Sequence, residues 1–417
     1  MLTSAHSPFD ARVFHKEAKS LAKSGHHQVT IVAPSVGLAF KNAKADDIEI
    51  ISLPKYRYKF LMRAITILQL LNRALAVKAT VYHCHEFDIF LGSIILKLLL
   101  NAKIVYDVHE HFPAKVSEYP IFPSFSASIV RLLLEKIETL FCRFADQIFT
   151  VNSTLRRRFL GANKSTTVLY NCPFLKLYVP QKNQTMSRKY GNGKVVIYEG
   201  AVNRKRGIDK FLFALPEVKR KFSDIIFLVI GDIFCDAEVN TWINNYVASE
   251  KLDNNFKITG WIPYTELPEA LANANVGVIL FQPVSYNNFI GLPNKLFEYM
   301  ACGIPVIACD FPEIRAVVEK SQCGILIDPT KPEAIADTIV YLLEHPQVAK
   351  AMGENGRKAV EKKYNWEKME IRLLKDYEKL NTRTQFHECN EANNIFSNAE
   401  KKSKEVGDTT VIFSKGE

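Results

Sequence analysis

One acidic side chain, Glu298, lies inside an otherwise apolar helical pattern in the stretch GLPNKLFEYMACGIPVIACDFPEIR, residues 291–315. Pro293 and Asn294 suit the first turn of this helix, and Glu298 falls one turn after Asn294 on the same face. A carboxylate that accepts two hydrogen bonds suits the paired hydroxyls of a ribose. The structural alternative is that Glu298 complements the positive N-terminal end of the helix dipole. Spacing alone leaves both interpretations open.

A second chemical feature is a run of three cations in the stretch EGAVNRKRGIDKFLFAL, residues 199–215. The pattern predicts a strand that ends in a turn at Gly200, then the cations, which include Arg204 and Arg206, and then an amphipathic helix. Free backbone N–H groups, a helix N-terminus and guanidinium groups together favour an anion site. A solvated basic turn is the alternative, but the surrounding half of the chain has no net positive charge to explain it.

Histidines form a third feature. The stretches HCHE, residues 83–86, and HEHF, residues 109–112, follow two predicted strands and hold four His and two Glu. These are enough ligands for a metal-dependent hydrolase. Strand alternation, however, points His83 back into the layer of strands. A metal site therefore stays an alternative at this point.

Short β-branched runs alternate with helical patterns along the chain, which predicts an α/β protein with parallel sheets and crossover helices. We expect two Rossmann-like, doubly wound domains that face a cleft, where a ligand would bind at the carboxyl ends of the strands. Neither predicted sheet has GxGxxG after its first strand, which argues against a dehydrogenase. The predicted boundaries are an N-terminal domain at 1–172, a linker at 173–193, a C-terminal domain at 194–365, a helix at 366–380 that packs back toward the N-terminal domain, and a disordered tail at 381–417.

The net charge of +10 is confined to the N-terminal part of the chain. Residues 1–180 hold 23 Lys and Arg against 13 Asp and Glu, and residues 181–417 hold 31 against 31. This asymmetry argues against a nucleic-acid binder and for one domain that meets an anionic surface or substrate.

The stretch 54–78 combines six Lys and Arg with apolar residues at helical spacing, which is typical of a helix on anionic lipid headgroups. An ordinary core-facing helix with a basic solvent side is the alternative. The most apolar run, 89–100, is too short to span a bilayer. No signal segment is evident, and the eight cysteines form no CxxC pair, so we expect a cytoplasmic protein, with peripheral attachment to the inner face of the plasma membrane as a further expectation.

An ordered series of motifs resembles the group 1 glycosyl transferases. The C-terminal half contributes YEGAVNRKRGID, VIGD, NKLFEYMACGIPVIA and GILIDPTKPEAIADTI, and the N-terminal half contributes VYHCHEFD and VYDVHEHFP. The resemblance covers roughly residues 1–380. It implies the GT-B fold, a retaining reaction and a nucleoside-diphosphate sugar as the donor substrate.

The resemblance also implies roles for matching positions. Glu298 corresponds to the second Glu of the family's E(x7)E motif, which binds the nucleotide ribose. Arg206 takes the place of a basic residue on the donor pyrophosphate, and Gly200 lies in the turn under the phosphates. His109 matches the histidine near the reacting anomeric carbon, and Trp261 lies where the nucleobase packs.

Two positions depart from the family pattern. Ile290 stands where the family has the first Glu of the motif, which contacts the transferred sugar, so we expect Asn294 and Lys295 to recognise that sugar. Ala201 stands where the family has a phosphate-binding Arg, and Arg204 or Lys295 would supply that charge.

The sequence thus predicts a retaining, hexosyltransferase-type enzyme of cell-surface polysaccharide or glycoconjugate synthesis, with no metal and no cofactor beyond its substrate. The acceptor, a saccharide or a lipid-linked molecule, is expected on the N-terminal domain. Two alternatives remain: a catalytically degenerate paralogue that binds a nucleotide sugar and supports a partner transferase, and the metal-dependent hydrolase. The predicted acceptor-side residues are His6, Asp10, Arg12, His85, Glu86 and Asp88.

Overall fold

The computed structural model describes most of the chain, in the ranges 1–35, 43–54, 61–119, 124–178, 193–233 and 237–380. Most of the predicted linker and all of the predicted tail lie outside the described residues. The predicted α/β class with two separate, mainly parallel sheets is confirmed.

The N-terminal sheet is parallel except for its edge strand β2. Leu2 joins its two halves, since this residue bridges both Val32 and Cys84. The order is β2-β3-β1 in one half and β4-β5-β6-β7 in the other. The strands are β1 (Thr30–Ser35), β2 (Ala43–Ala45), β3 (Ile48–Pro54), β4 (Val81–Cys84), β5 (Lys103–Val108), β6 (Gln147–Thr150) and β7 (Thr166–Val168).

The first helix of this domain begins with a π-helical segment, which widens the turn and directs Arg12, Lys16 and Glu17 into the interior. Asp10 caps it, because its Oδ1 accepts from Arg12 N at 2.8 Å. The helices of the domain are α1 (π-helical over Ala11–Ala18, α-helical over Lys19–Lys23), α2 (Leu61–Val77), α3 (Phe87–Leu100), α4 (Phe112–Ser117), α5 (Ser124–Phe141) and α6 (Ser153–Leu160).

The C-terminal sheet has six parallel strands in the order β10-β9-β8-β11-β12-β13, with a hydrophobic cluster on each face. Its strands are β8 (Val195–Glu199), β9 (Ile226–Ile230), β10 (Phe256–Ile258), β11 (Val276–Ile279), β12 (Val306–Cys309) and β13 (Gly324–Ile327). Its helices are α7 (Ile208–Lys221), α8 (Ala237–Ser249), α9 (Leu267–Ala272), α10 (Tyr286–Ile290), α11 (Asn294–Ala301), α12 (Pro312–Ser321), α13 (Pro332–Glu344) and α14 (Pro346–Lys362).

The last described helix, α15 (366–380), crosses back onto the N-terminal sheet. Trp366 is fully buried there and its Nε1 donates to Ser20 Oγ at 3.0 Å. Further along the helix, the Tyr377 hydroxyl lies 2.8 Å from His83 Nδ1. One side of the N-terminal core is therefore completed by the C-terminal end of the described chain.

Helix α2, which contains most of the predicted lipid-binding stretch, packs its apolar side on the N-terminal core. Leu70 and Ala74 are fully buried, and Ile67, Leu71 and Leu75 pack against the same cluster. These residues follow the core-facing alternative, whereas Leu68 on the same helix is 66% exposed. The lipid-facing interpretation of the stretch 54–78 therefore stays a prediction. Within the described ranges, no helix has the length and hydropathy needed to cross a bilayer.

The packing of α15 generates a stability prediction. Trp366→Ala removes a fully buried aromatic side chain and should lower the free energy of unfolding by about 3 to 5 kcal/mol. Ile371→Ala, at an exposed position on the same helix, is the control and should change it by less than about 0.5 kcal/mol. Denaturant unfolding of both variants is the measurement, and equal losses would contradict the assigned packing.

Candidate active site

Two cations converge on the turn that follows β8. Gly200 has φ 107°, in the left-handed region, and a side chain there would place its first carbon 3.4 Å from Arg206 Nη1 and 3.5 Å from Lys295 Nζ. Arg206 is held by Asn203, whose Oδ1 accepts from Arg206 N at 3.0 Å. The fold therefore brings together Gly200, Arg206 and Lys295, three residues of the predicted donor site, and the bound anion stays a prediction.

Lys295 lies in the first turn of α11, where backbone N–H groups point out of the helix. Its ammonium group donates to Glu199 O and lies 4.4 Å from the Tyr198 ring centroid. Burial lowers the pKa of Lys295 to about 8, although the charge of Glu199 opposes this shift. An anion bound at the turn would favour the charged form of this lysine.

Glu199 and Glu298 form a buried acidic pair beside Lys295. Burial and the charge of Glu298 raise the pKa of Glu199 well above its ordinary value. Burial also raises the pKa of Glu298, while the charges of Lys16 and Lys295 lower it. Oε2 of Glu298 has no hydrogen-bond partner among the described residues.

Neighbouring strand ends extend this edge of the sheet. Gly231, after β9, bridges Gly260, after β10, and a side chain at Gly231 would meet Gly200 O at 2.0 Å. Only glycine therefore fits at Gly231. Trp261 follows Gly260 and is 71% exposed, so its indole face is open to a ligand.

Two predicted donor-binding residues lie farther out. Arg204 is exposed, and its guanidinium lies 5.2 Å from the ring centroid of Trp242 in α8. Asn294 is exposed at the start of α11. The three atoms nearest to a side-chain carbon placed at Gly200 belong to Arg206 and Lys295, and none belongs to Arg204 or Asn294.

His109 follows the carboxyl end of β5 in the N-terminal domain and is partly exposed. Its Nε2 lies 2.7 Å from Asp107 Oδ2 and 3.4 Å from His85 Nδ1. The rings of His6 and His109 lie 5.0 Å apart. Asp107 thus fixes the ring orientation of the predicted catalytic residue.

Asp107 is itself held in a buried ion pair. Arg12 Nε and Nη2 donate to its two oxygens, each at 2.8 Å, and Arg12 Nη1 donates to Leu169 O at 2.9 Å. Burial alone would raise the pKa of Asp107, but Arg12 and His109 hold it well below its ordinary value. Arg12, predicted on the acceptor side, is 3% exposed, and its guanidinium binds groups inside the domain.

Two histidines of the metal alternative lie in one buried cluster with carboxylates. His83 and His85 share a buried cluster with Glu17 and Asp107, whose potential ligand atoms lie within 4.8 Å of one another. The guanidinium of Arg12 lies in this cluster, 2.9 Å from Glu17 Oε1. This fixed positive charge lies beside both carboxylates and would repel a divalent cation, so these residues do not fit one well.

The other acceptor-side residues organise the loop around His6. Glu86 accepts from Thr3 Oγ1 at 2.7 Å and Ser4 N at 2.8 Å, and lies 3.6 Å from His6 Nε2. Asp88 accepts from Ser4 Oγ at 3.0 Å. Asp10 lies 3.4 Å from His6 Nδ1. His85 is buried behind His109, and burial lowers its pKa to about 4.

Direct contacts join the two domains beside these groups. His111 N donates to Asn287 Oδ1 at 2.7 Å, and Asn152 Nδ2 donates to Ile290 O at 3.0 Å. Ile290 is 4% exposed and packs in the hydrophobic cluster of the N-terminal domain. The position of the missing Glu is therefore part of the domain contact.

Both halves of the chain match known protein families. Glycosyltransferase Family 4 matches residues 11–172, and Glycosyl transferases group 1 matches residues 181–359. Spore coat protein SA of Bacillus subtilis is 24% identical over 249 residues, 56% of this chain and 65% of that protein. The GDP-mannose-dependent alpha-(1-6)-phosphatidylinositol monomannoside mannosyltransferase of Mycolicibacterium smegmatis is 26% identical over 237 residues, 55% of this chain and 61% of that protein. These matches span less than two thirds of either relative.

Solved structures share the fold over nearly the whole chain. Sucrose-phosphate synthase from Thermosynechococcus elongatus has a TM-score of 0.72 at 18% identity, covering 92% of this chain and 98% of that one. HepE from Anabaena, in complex with UDP and glucose, has a TM-score of 0.69 at 14% identity, covering 90% and 98%.

The two Rossmann-like sheets and the likeness to these structures show that the chain has the GT-B fold. The two family matches follow one another along the chain, and both are to glycosyltransferases. The chain belongs to the group 1 glycosyl transferase family.

Sequence reasoning missed three buried residues of the site: Glu199, Asp107 and Lys16. Asp107 could have been found from the sequence, because it interrupts the apolar strand KIVYDV and lies two residues before His109, on the same strand face. Glu199 directly precedes Gly200 and could have been questioned as a charge at the end of an apolar strand. Nothing in the sequence pointed to Lys16, since the polar stretch HKEAKS is typical of the solvent side of a helix.

The raised pKa of Glu199 generates a pH-dependent prediction. Above the unfolded-state pKa of about 4.3, the unfolded chain ionises this carboxyl while the folded protein does not, so stability falls as pH rises. Glu199→Gln removes this penalty, and its free energy of unfolding relative to wild type should rise between about pH 5 and pH 8, by at most about 1.4 kcal/mol per pH unit. Glu250→Gln, at an exposed position, should show no such trend. A pH-independent difference for Glu199→Gln in thermal unfolding would contradict the assignment.

Proposed function

We propose that the chain transfers a hexosyl group from a nucleoside-diphosphate sugar to a saccharide or lipid-linked acceptor, with retention of anomeric configuration. The observation that carries the proposal is the convergence of Arg206 Nη1 and Lys295 Nζ on the Gly200 turn. Cations and helix N-termini stabilise a leaving diphosphate electrostatically. We propose that they do so without a divalent metal or any other cofactor.

The donor nucleotide would lie along the carboxyl edge of the second sheet. A ribose hydroxyl would supply the donor that Oε2 of Glu298 lacks, and the nucleobase would pack near Trp261. Asn294 and Lys295 would contact the sugar, since Ile290 is committed to the domain contact. By their names, one relative uses GDP-mannose and one structural neighbour binds UDP, so both nucleotides belong in the test.

In the proposed reaction, the bond between the anomeric carbon and the diphosphate oxygen breaks, and the acceptor hydroxyl oxygen forms its bond on the same face of the sugar. The acceptor proton passes to the departing phosphate oxygen. Arg206 and Lys295 stabilise the charge on the leaving group. His109, oriented by Asp107, contacts the sugar and stabilises the developing positive charge.

The acceptor would enter from the side of the His6 loop, which Glu86 and Asp88 hold in place. Arg12 would act at a distance, by orienting Asp107 and through it His109. The excess positive charge of the N-terminal half suits a lipid-linked phosphate or an anionic polysaccharide. Such an enzyme of polysaccharide or glycoconjugate synthesis would work in the cytoplasm or at the inner face of the plasma membrane.

One observation favours a second candidate. Ile290 replaces a carboxylate that, in the family pattern, contacts the transferred sugar, and it is buried in the domain contact instead. A degenerate paralogue that binds a nucleotide sugar without turning it over would show this feature. Donor binding without donor hydrolysis or transfer is its distinguishing property.

A panel of UDP and GDP sugars tests the proposal. A true donor at 100 times its dissociation constant stabilises the fold by about 2.7 kcal/mol, which a thermal shift detects. The same donors are then assayed for hydrolysis and for transfer to saccharide and lipid-linked acceptors. Binding with turnover supports the transferase, binding alone supports the paralogue, and no stabilisation by any member contradicts both.

Arg206→Ala tests the anion site. Loss of a charged hydrogen bond to the diphosphate should weaken nucleoside-diphosphate affinity by about 1.5 to 3 kcal/mol, or roughly tenfold to more than a hundredfold. Lys221→Ala, which removes an exposed cation at the far end of α7, is the matched control and should leave the affinity unchanged. Calorimetric titration gives both values. Similar losses in the two variants would reduce the site to a general charge effect.

His109→Ala tests the catalytic role. Because His109 lies on the domain opposite the donor anchors, its loss should lower kcat and kcat/KM together, by roughly a hundredfold or more, while nucleoside-diphosphate affinity stays nearly constant. Thermal unfolding on the same preparation separates this from a structural role. Normal turnover per folded molecule would move the catalytic function to another residue.

A further inference from the structure

The outward side of α5 is apolar, which is unusual for a surface helix. Five aliphatic side chains lie along it at helical spacing, and each is between 41% and 60% exposed. We call this surface the α5 face, and it consists of Ile129, Leu132, Leu133, Ile137 and Leu140.

The inward side of the same helix carries a charge. Glu138 is fully buried, and its two oxygens lie 2.6 Å from Arg158 Nη1 and 2.8 Å from the Tyr106 hydroxyl. The helix therefore reverses the usual pattern, with an ion-paired carboxylate facing the domain and leucines facing out. Hydration of the leucines is unfavourable by about 25 cal/mol per Å² of apolar surface, so this side is suited to a covering layer.

The apolar surface continues onto the end of α3. Leu98 and Leu99 are 77% and 65% exposed. Lys97 Nζ donates to Phe144 O at 2.9 Å, which places the last turn of α3 beside the chain that follows α5. Phe144 is itself exposed. The α5 face is thus the centre of a wider apolar surface formed by two helices.

Cations border the α5 face on one side. A groove of about 780 Å³ lies between α5, α6 and Tyr286 of the C-terminal domain, and a single acidic residue, Glu135, lines it against five cations. Among the described residues, Lys136 and Arg143 form no ion pair, and the side chain of Arg157 is 71% exposed. The cations are Arg131, Lys136, Arg143, Arg157 and Arg158.

We propose that the α5 face docks on an anionic lipid bilayer, with its leucines and isoleucines at the acyl boundary and the bordering cations on lipid phosphates. Aliphatic burial and cation attraction are the two contributions that bind interfacial helices. A protein partner fits less well, because the face has no Trp or Tyr, the residues that anchor most protein interfaces, and Leu is under-represented at such anchors.

The position of the face relates it to the active site. The cationic groove also contains His111 and Tyr286, which lie at the contact between the domains. A bilayer on the α5 face would therefore meet the protein beside the contact between the two domains. Docking on the bilayer would bring the enzyme to a lipid-linked acceptor, and this part of the inference rests on the proposed function. Vesicle binding itself requires neither donor nor acceptor, so it can fail or succeed independently of the reaction.

Cosedimentation of the full chain with vesicles tests the proposal. The protein should bind phosphatidylglycerol–phosphatidylcholine vesicles, bind pure phosphatidylcholine vesicles more weakly, and dissociate from the former as salt rises. The double variant Leu133→Glu and Ile137→Glu should lower the partition coefficient at least about tenfold, or about 1.4 kcal/mol. Lys136→Glu with Arg143→Glu should lower binding to anionic vesicles only.

Two matched controls place the same charge on exposed aliphatic positions elsewhere, Leu68→Glu on α2 and Ile371→Glu on α15. Both should bind vesicles like the wild type, and thermal unfolding confirms that all variants are folded. The proposal is overturned if the α5 variant binds like the wild type, or if Leu68→Glu causes an equal loss. It is also overturned if sedimentation velocity shows a dimer that the α5 variant dissolves while no form of the protein binds vesicles.

Discussion

The buried ion pair between Arg12 and Asp107 is the interaction on which the N-terminal half of the site depends. It connects the π-helical start of α1 to β5, and its third hydrogen bond reaches Leu169 after β7. A buried pair of this kind contributes little net stability, but removing either partner leaves an uncompensated charge, which is strongly unfavourable. Its value here is orientation, because the same carboxylate holds His109 at 2.7 Å.

The C-terminal half solves a related problem with a different arrangement. Lys295, Glu199 and Glu298 are all buried there. Burial and the charge of Glu298 raise the pKa of Glu199, and burial lowers the pKa of Lys295 to about 8. Arg206 adds a second cation at the Gly200 turn. An anion at this turn, as proposed for the donor diphosphate, would favour the charged form of Lys295.

The sequence was sufficient for the fold class, the two sheets and the pairing of Gly200 with the cations that follow it, because strand periodicity and turn chemistry are local properties. It was insufficient for contacts between distant segments. The apolar side of α2 and that of α5 have the same helical spacing, yet α2 packs on the core and α5 faces outward. Only tertiary structure separates these two cases. Ile290 could be recognised as a departure from the family pattern, but its place in the core cluster of the other domain could not.

The crossing of α15 also sets the order in which the protein can be completed during synthesis. One side of the N-terminal core is filled by four residues of α15, which are translated after nearly all of the second domain. They are Trp366, Met369, Leu373 and Tyr377. Domains usually fold in the order in which they leave the ribosome. In this chain the N-terminal domain stays unfinished until α15 emerges, so the C-terminal domain is the first to reach its complete core. A premature stop before residue 366 would leave the N-terminal core exposed even though every strand of both sheets had been translated.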